Sequence, residues 1–164
     1  MKQDLSLICN SLSETKTLAG CFASLLRASL VIGLDGLLGV GKSAFSRFVI
    51  QSAVGTEIDV PSPTFTLVQT YESANGLPVM HMDLYRLEAP EQVFELGVEE
   101  SFYEAANLIE WPSKMGAYWP SDAVTIEIAF SEGDSRHVSL SAPEAFINAL
   151  STELAKVGLE ISAS

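Results

Sequence analysis

The sequence is poor in basic residues, and this scarcity limits the ligands that the chain can bind by itself. Only 9 Lys and Arg residues stand against 21 Asp and Glu residues, which gives a formal net charge of −12 at pH 7. Binding to nucleic acid requires a stripe of positive charge that neutralises phosphates. We therefore do not expect the chain to bind RNA or DNA directly, although a partner protein could supply that surface.

Cysteine is also scarce, and long apolar runs are missing. Cys9 and Cys21 show no spacing typical of metal ligands. The first residues lack the basic segment and unbroken apolar core of a signal peptide. No stretch reaches the length needed to cross a bilayer. These features favour a cytoplasmic location without membrane contact, where both thiols stay reduced.

The length and the hydrophobic content predict one folded domain. The chain has 164 residues, 48% of them hydrophobic, which is enough for a substantial core. The sequence contains neither an internal repeat nor a linker that would divide it, so residues 1–164 are assigned to a single domain. The last residues, about 157–164, carry no usable pattern and are the candidate for a disordered tail.

The most informative stretch is the octapeptide at residues 36–43, GLLGVGKS, a phosphate-binding loop of the form G-x-x-x-x-G-K-[ST]. The glycines let successive backbone N–H groups turn toward phosphate oxygens. Lys42 supplies a cation for the β- and γ-phosphates, and the Ser43 hydroxyl is suited to Mg²⁺. An apolar run at 30–34 predicts the preceding strand, and 44–50 continues as a helix whose N-terminus favours anions. The stretch therefore predicts a nucleoside-triphosphate site with Mg²⁺.

The remaining patterns predict an α/β fold of the P-loop NTPase type, a three-layer sandwich whose mixed sheet carries antiparallel hairpins. Runs with strand-like composition flank turn residues twice, and each pair predicts a hairpin: 65–71 with 77–83, and 124–130 with 137–141. A capping-box pattern at 11–14 and apolar residues at helical spacing predict a helix through residue 27. Further helices are expected after Pro90, over 99–105 and from Pro143 to Lys156.

Two predicted strands end in carboxylates. Asp83 follows the run VMHM, and Glu110 follows the run NLI. In an open α/β sheet the carboxyl ends of parallel strands line the ligand crevice, so each residue is a candidate for binding Mg²⁺ directly or through water. The alternative for each is an ordinary helix cap. Phosphoryl transfer also requires positive charge for its transition state, and Arg86 is the best-placed candidate.

Three weaker signals lie beside these carboxylates. Ser62 and Thr64 offer hydroxyls in a loop that could meet a γ-phosphate, although such sequences are common in turns. A histidine in a position like that of His81 is more often a core or interface residue than a catalytic one. Trp111, next to Glu110, is either an indole that senses the site or a core residue.

The identity of the base follows from a missing element. A guanine-specific P-loop protein needs an Asn/Thr-Lys-x-Asp sequence, and none of the five lysines has both Asn or Thr before it and Asp two residues further on. The sequence therefore favours an adenine nucleotide.

Four motifs occur together in one order and spacing: GVGKS at 39–43, SPTFTLV at 62–68, HMDLYRL at 81–87 and IEWP at 109–112. Together they closely resemble the bacterial TsaE (YjeE) family, the small ATPase of tRNA threonylcarbamoyladenosine biosynthesis. The resemblance extends from about residue 11 to residue 141. It implies ATP and Mg²⁺ as ligands, and ATP hydrolysis that supports modification of the adenosine next to the anticodon. It also implies a complex with TsaB- and TsaD-type subunits, which would hold the tRNA.

The resemblance further implies roles for individual residues. Ser43 and Glu110 would bind Mg²⁺, and Asp83 would act in hydrolysis. Lys42 and Arg86, which are selected from their positions in the sequence, complete the predicted catalytic set. Glu14 and Arg136 are weaker transfers, because the family places these regions only near the nucleotide. The predicted nucleotide-binding residues are Glu14, Gly39, Val40, Gly41, Lys42, Ser43, Ala44, Thr64, Trp111 and Arg136.

The chain departs from the family pattern at two loop positions. Leu37 stands where the family commonly has Asp, and Ser43 stands where it commonly has Thr. Serine keeps the metal-binding hydroxyl, whereas leucine removes a carboxylate from the loop edge.

Two other functions remain open: a nucleotide-dependent binding switch with negligible hydrolysis, and a P-loop small-molecule kinase. The kinase would need a lid bearing several arginines, and only Arg86 and Arg136 are available.

Overall fold

In a computed structural model, which describes residues 1–162, the chain folds around one seven-stranded mixed sheet. The strands are β1 (Lys2–Cys9), β2 (Val31–Asp35), β3 (Val68–Glu72), β4 (Pro78–Asp83), β5 (Ala106–Glu110), β6 (Val124–Phe130) and β7 (Arg136–Pro143). Their order across the sheet is β1-β7-β6-β2-β5-β4-β3.

The centre of the sheet is parallel and both of its sides are antiparallel. Strand β2 pairs in parallel with β5 and β6, and β5 pairs in parallel with β4. The antiparallel pairs are β3 with β4, β6 with β7, and β1 with β7. The two predicted hairpins are therefore present, and the mixed sheet is confirmed.

Helices cover both faces of the sheet, which confirms the three-layer arrangement. They are α1 (Leu12–Ser24), α2 (Lys42–Val54), α3 (Val98–Glu104) and α4 (Glu144–Val157), with 3-10 helices at Pro90–Leu96 and Pro112–Tyr118. On one face α1, α2 and α4 bury a core in which the rings of Phe22 and Phe45 meet edge to face, 5.4 Å apart. On the other face α3 and both 3-10 helices pack over Met82 and Ile109 of the sheet, and Met115 of the second 3-10 helix is buried there.

Strand alternation decides which side chains point toward α2. In β4, Met82 packs in the core opposite α2, whereas Val79 packs in the core beneath α1 and α2. Because successive side chains of a strand point to opposite faces, His81 and Asp83 share the face of Val79. By the same alternation Glu110 shares the face of Leu108. The polar ends of both strands therefore lie on the α2 side.

The structure differs from the sequence prediction at the start of β3 and in the segment after Pro90. Strand β3 begins at Val68 rather than at residue 65, because Leu67 has a φ of 68° and its N–H donates to the Pro63 carbonyl in a turn. The segment after Pro90 is a 3-10 helix, and Gly97, with a φ of 79°, ends it as predicted. The segment after Pro112 is also a 3-10 helix.

The carboxyl-terminal residues are placed as far as Ser162. Helix α4 ends at Val157, and Gly158 closes it with a φ of 76°. The Ser162 N–H donates to the Ser6 carbonyl at 2.8 Å, so the chain returns to β1. Residues 163–164 of the predicted tail lie outside the described residues.

Both cysteines are buried and free among the described residues. Cys9 and Cys21 belong to the core beneath α1. Within residues 1–162, no helix has the length and apolar content needed to cross a membrane.

Candidate functional site

The glycine-rich loop connects β2 to α2 and depends on backbone conformations that favour glycine. Gly39 and Gly41 have φ values of 78° and 122°. At Gly36, with a φ of 139°, a Cβ atom would collide with the Ile128 carbonyl oxygen. Gly41 precedes α2 and no side chain caps it there. The first N–H groups of α2 are therefore directed at the space above the loop, where they could hold an anion.

Lys42 is buried beneath this loop. Its Nζ donates to the carbonyl oxygens of Gly36 and Leu37 at 2.6 and 3.1 Å. It also lies 4.1 Å from the centroid of the Trp111 indole. Trp111 has a φ of 61°, an uncommon value outside glycine. The ammonium group thus has an aromatic face on one side and backbone oxygens on the other.

Opposing effects act on the charge of Lys42. Burial lowers its pKa, because the desolvated ammonium group loses hydration. The carboxylates of Glu110, Asp35 and Asp83 act against this and favour the charged form. A bound phosphate would add to the second effect, since it brings further negative charge to the ammonium group.

Ser43 and Glu110 meet at the foot of the loop. The Ser43 hydroxyl donates to Glu110 Oε1 at 2.9 Å. Glu110 Oε2 lies 2.7 Å from His81 Nε2 on the neighbouring strand. Glu110 and His81 are both almost fully buried. This contact of His81 was not predicted from the sequence. The alternation of β4 does indicate it in part, because His81 and Asp83 point to the same face of the strand.

Asp83 is held by the preceding loop and by the chain that follows it. The Thr64 hydroxyl donates to Asp83 Oδ2 at 2.9 Å, and the Tyr85 N–H donates to Oδ1 at 2.9 Å. The Ser62 hydroxyl lies 2.8 Å from that of Thr64. The SPT sequence, a weak signal taken alone, is therefore tied to the end of β4.

These groups surround one cavity of about 200 Å³. Its lining includes most of the predicted site: Gly39, Gly41, Lys42, Ser43, Ala44, Thr64, Asp83, Glu110 and Trp111, together with Leu38. A larger depression of about 480 Å³ lies over β1, β6 and β7 and is lined by none of the predicted site residues. The chemistry predicted from the sequence is therefore concentrated in the smaller cavity.

Four predicted residues do not line this cavity. Val40 is buried, and its carbonyl oxygen accepts a hydrogen bond from Arg136 Nε at 2.8 Å, so Arg136 braces the loop backbone. The Arg86 guanidinium is exposed and stacks 4.5 Å from the centroid of the Phe65 ring. Glu14 accepts from the Asn10 N–H near the start of α1. Contacts of these residues with a nucleotide remain predictions.

The donor set suits Mg²⁺. The Ser43 hydroxyl and the Glu110 carboxylate are hard oxygen ligands, and the Asp83 carboxylate ends the neighbouring strand. Within residues 1–162, no cluster of three or more His, Cys, Asp or Glu side chains forms a protein-only metal site. Mg²⁺ typically takes one or two protein ligands and completes its shell with water and substrate phosphates.

Four features together define the P-loop NTPase class of fold. They are a parallel β-strand, the GLLGVGKS loop, a helix directly after the loop, and a carboxylate at the end of the adjacent strand. The sequence profile described as "Threonylcarbamoyl adenosine biosynthesis protein TsaE" matches residues 9–138. The chain belongs to this TsaE family.

Known relatives agree with this assignment. Proteins named "tRNA threonylcarbamoyladenosine biosynthesis protein TsaE" match the chain from several bacteria. That of Rickettsia bellii is 38% identical over 129 residues, covering 79% of this chain and 89% of its own. That of Bacillus subtilis is 33% identical over 130 residues, covering 79% and 80%. The crystal structure of Bacillus subtilis YdiB superposes with a TM-score of 0.73 at 25% identity, covering 96% of this chain and 98% of that one.

Proposed function

We propose that this protein binds Mg²⁺-ATP in the 200 Å³ cavity and hydrolyses it to support tRNA threonylcarbamoyladenosine biosynthesis. The observation that carries the proposal is the 2.9 Å contact between the Ser43 hydroxyl and Glu110 Oε1, directly beside the phosphate-binding loop. The names of the relatives supply the biological process.

Phosphate binding rests on the loop and on Lys42. The N–H groups at the start of α2 are not capped by a side chain, and the helix dipole favours negative charge there. Lys42 Nζ would exchange its bonds to the Gly36 and Leu37 carbonyl oxygens for bonds to phosphate oxygens. Because this exchange replaces neutral acceptors with charged ones, it favours nucleotide binding.

Metal binding rests on Ser43 and Glu110. When bound there with the nucleotide, Mg²⁺ neutralises charge on the phosphates and stabilises the transition state of their transfer. Ser43 and Glu110 would hold the ion from the protein side. The contact between their oxygens shows that both side chains already point to one place.

Hydrolysis rests on Asp83. It ends β4 on the same face as Glu110, and its carboxylate lines the cavity. A carboxylate at this position could orient the attacking water and accept its proton. Thr64 and Tyr85 hold the carboxylate in one orientation. Positioning of this kind is the usual source of catalysis in phosphoryl transfer.

The proposed partners are TsaB- and TsaD-type subunits. The net charge of −12 argues against direct binding of tRNA, so those subunits would hold the substrate near the adenosine beside the anticodon. Leu37 and Leu38 are 71% and 74% exposed at the crest of the loop. Contact with a partner would cover these side chains beside the nucleotide.

One observation favours a second function, a binding switch with negligible hydrolysis. Both carboxylate oxygens of Asp83 already accept hydrogen bonds, which leaves fewer of their lone pairs free to hold an attacking water. Phosphate release from ATP, measured with and without the purified partners, separates the two functions. Partner-dependent multiple turnover supports the ATPase. Nucleotide-dependent complex formation with less than one phosphate released per protein supports the switch.

A further inference from the structure

The contact between His81 and Glu110 has no part in the proposed steps, yet it is one of the most deeply buried polar contacts of the fold. His81 Nε2 lies 2.7 Å from Glu110 Oε2, and the side chains are only 1% and 3% exposed. His81 lies two residues before Asp83 on β4, and Glu110 ends β5. The bond thus crosses diagonally between two adjacent parallel strands.

The geometry selects one form of the imidazole ring. An ionised carboxylate can only accept hydrogen bonds, so Nε2 must carry the proton that it donates to Glu110. His81 Nδ1 is buried and has no hydrogen-bond partner among the described residues. A proton on Nδ1 would therefore be an unsatisfied buried donor, which is costly. A ring that donates from Nε2 therefore fits these contacts.

The two oxygens of Glu110 consequently have different partners. Oε2 is tied to His81, whereas Oε1 faces Ser43 and the cavity. Rotation of the carboxylate would break the buried bond to the imidazole. His81 thus fixes the orientation of the carboxylate, so that one oxygen is presented beside the phosphate-binding loop while the other is held by the imidazole.

We infer that His81 is a positioning residue that orients Glu110 for Mg²⁺ binding. The inference rests on the proposed function, because it assumes that Glu110 is a ligand of the metal. A histidine is not needed to fill this position, since Val79 and Leu108 on the same face are fully buried and apolar. Partners that hold a metal-binding side chain in place typically contribute 10–100-fold to metal affinity.

The test compares two substitutions of His81 with a control. His81→Phe keeps a planar ring but removes the donor. His81→Gln places an amide N–H close to the position of Nε2. His137→Phe changes the only other histidine of the chain, which lies on β7 and does not line the cavity. Calorimetry measures the affinity for a non-hydrolysable ATP analogue in Mg²⁺ and in EDTA, and thermal denaturation checks that each variant is folded.

For His81→Phe we expect the gain in affinity due to Mg²⁺ to fall by about 10–100-fold, with the affinity in EDTA changed only a few-fold. His81→Gln should recover most of the gain, and His137→Phe should match the wild type. Equal losses in Mg²⁺ and in EDTA, or equal losses in His81→Phe and His81→Gln, would overturn the inference. If the wild type itself gains nothing from Mg²⁺, the proposed function fails instead.

Discussion

Asp83 and Glu110 lie side by side as the last residues of the neighbouring parallel strands β4 and β5. Residues paired across a sheet point to the same face, so both carboxylates are directed toward the N-terminus of α2. They are 4% and 2% exposed. Each has its own hydrogen-bond donors, Thr64 for Asp83 and Ser43 with His81 for Glu110.

Because their partners differ, we propose separate tasks for the two carboxylates. Glu110 is bonded to the hydroxyl that belongs to the phosphate-binding loop, which suits a metal ligand. Asp83 is bonded to the loop before β3, which suits a group that holds water. Substitution of the two residues should therefore produce different defects.

Lys42→Ala should abolish measurable ATP binding. The substitution removes the buried cation and leaves the phosphate charge uncompensated in the loop. Lys16→Ala is the matched control, because Lys16 is an exposed lysine on α1. Calorimetry of both variants checks the expectation. Unchanged ATP affinity in Lys42→Ala would contradict the role of this loop in nucleotide binding.

Glu110→Gln should produce a defect specific to Mg²⁺. The amide keeps the size of the side chain but loses the negative charge that the ion requires. Affinity for ATP should fall strongly in Mg²⁺ and little in EDTA, and Ser43→Ala should show the same pattern more weakly. Titration of each variant in both buffers makes the comparison. A similar loss in both buffers would assign Glu110 to structure instead.

Arg136→Gln should weaken nucleotide binding through the loop backbone. The substitution removes the Nε donor to the Val40 carbonyl oxygen, a loss of about 1–2 kcal/mol, or roughly 5–30-fold in affinity. Arg27→Gln, at an exposed position after α1, is the control. Calorimetry with ATP in Mg²⁺ measures both. No change in affinity would contradict the bracing role, and a much larger loss would favour direct contact with the nucleotide.

Cys9 should make the fold less stable in strong alkali. Burial raises the pKa of its thiol from 9.0 to about 11. Between these values the unfolded thiol loses its proton while the folded thiol keeps it, so the free energy of unfolding falls as the pH rises. The fall should reach about 2–3 kcal/mol by pH 11, since one pKa unit corresponds to about 1.4 kcal/mol. Urea denaturation measures the free energy of unfolding at pH 8 and above, and this free energy should fall less steeply with pH in Cys9→Ala than in the wild type. The same dependence on pH in both proteins would contradict a raised pKa at Cys9.

The sequence predicted the fold and most of the cavity because these depend on local patterns. Neighbouring residues in the sequence are enough to predict three features. These are the GLLGVGKS loop, the two hairpins and the carboxylates that follow apolar strands. The start of β3 was not predictable in this way, because the positive φ of Leu67 belongs to a turn in a β-rich sequence. The spacing of residues after Pro90 predicted a helix but did not distinguish a 3-10 helix from an α-helix.

The contacts of the site depend on pairings between strands, which one sequence does not reveal. The bond of His81 to Glu110 requires that β4 and β5 are neighbours. The bond of Arg136 to Val40 requires that β7 brings its first residue to the loop from 96 positions away. Glu14 was transferred from the family pattern and Arg86 was chosen from its position after Asp83, and the structure places both outside the cavity lining.

Asp83→Asn provides the most direct test of the central claim, that this cavity hydrolyses ATP. The amide keeps the size of the side chain, and its oxygen can accept from the Tyr85 N–H while its NH₂ donates to the Thr64 hydroxyl, but it cannot accept the proton of water. The measurement is steady-state phosphate release by the complex reconstituted with TsaB- and TsaD-type subunits, beside nucleotide affinity of the isolated protein. We predict nearly unchanged affinity and a turnover reduced roughly 10²–10⁴-fold. Turnover within a few-fold of the wild type would contradict the account.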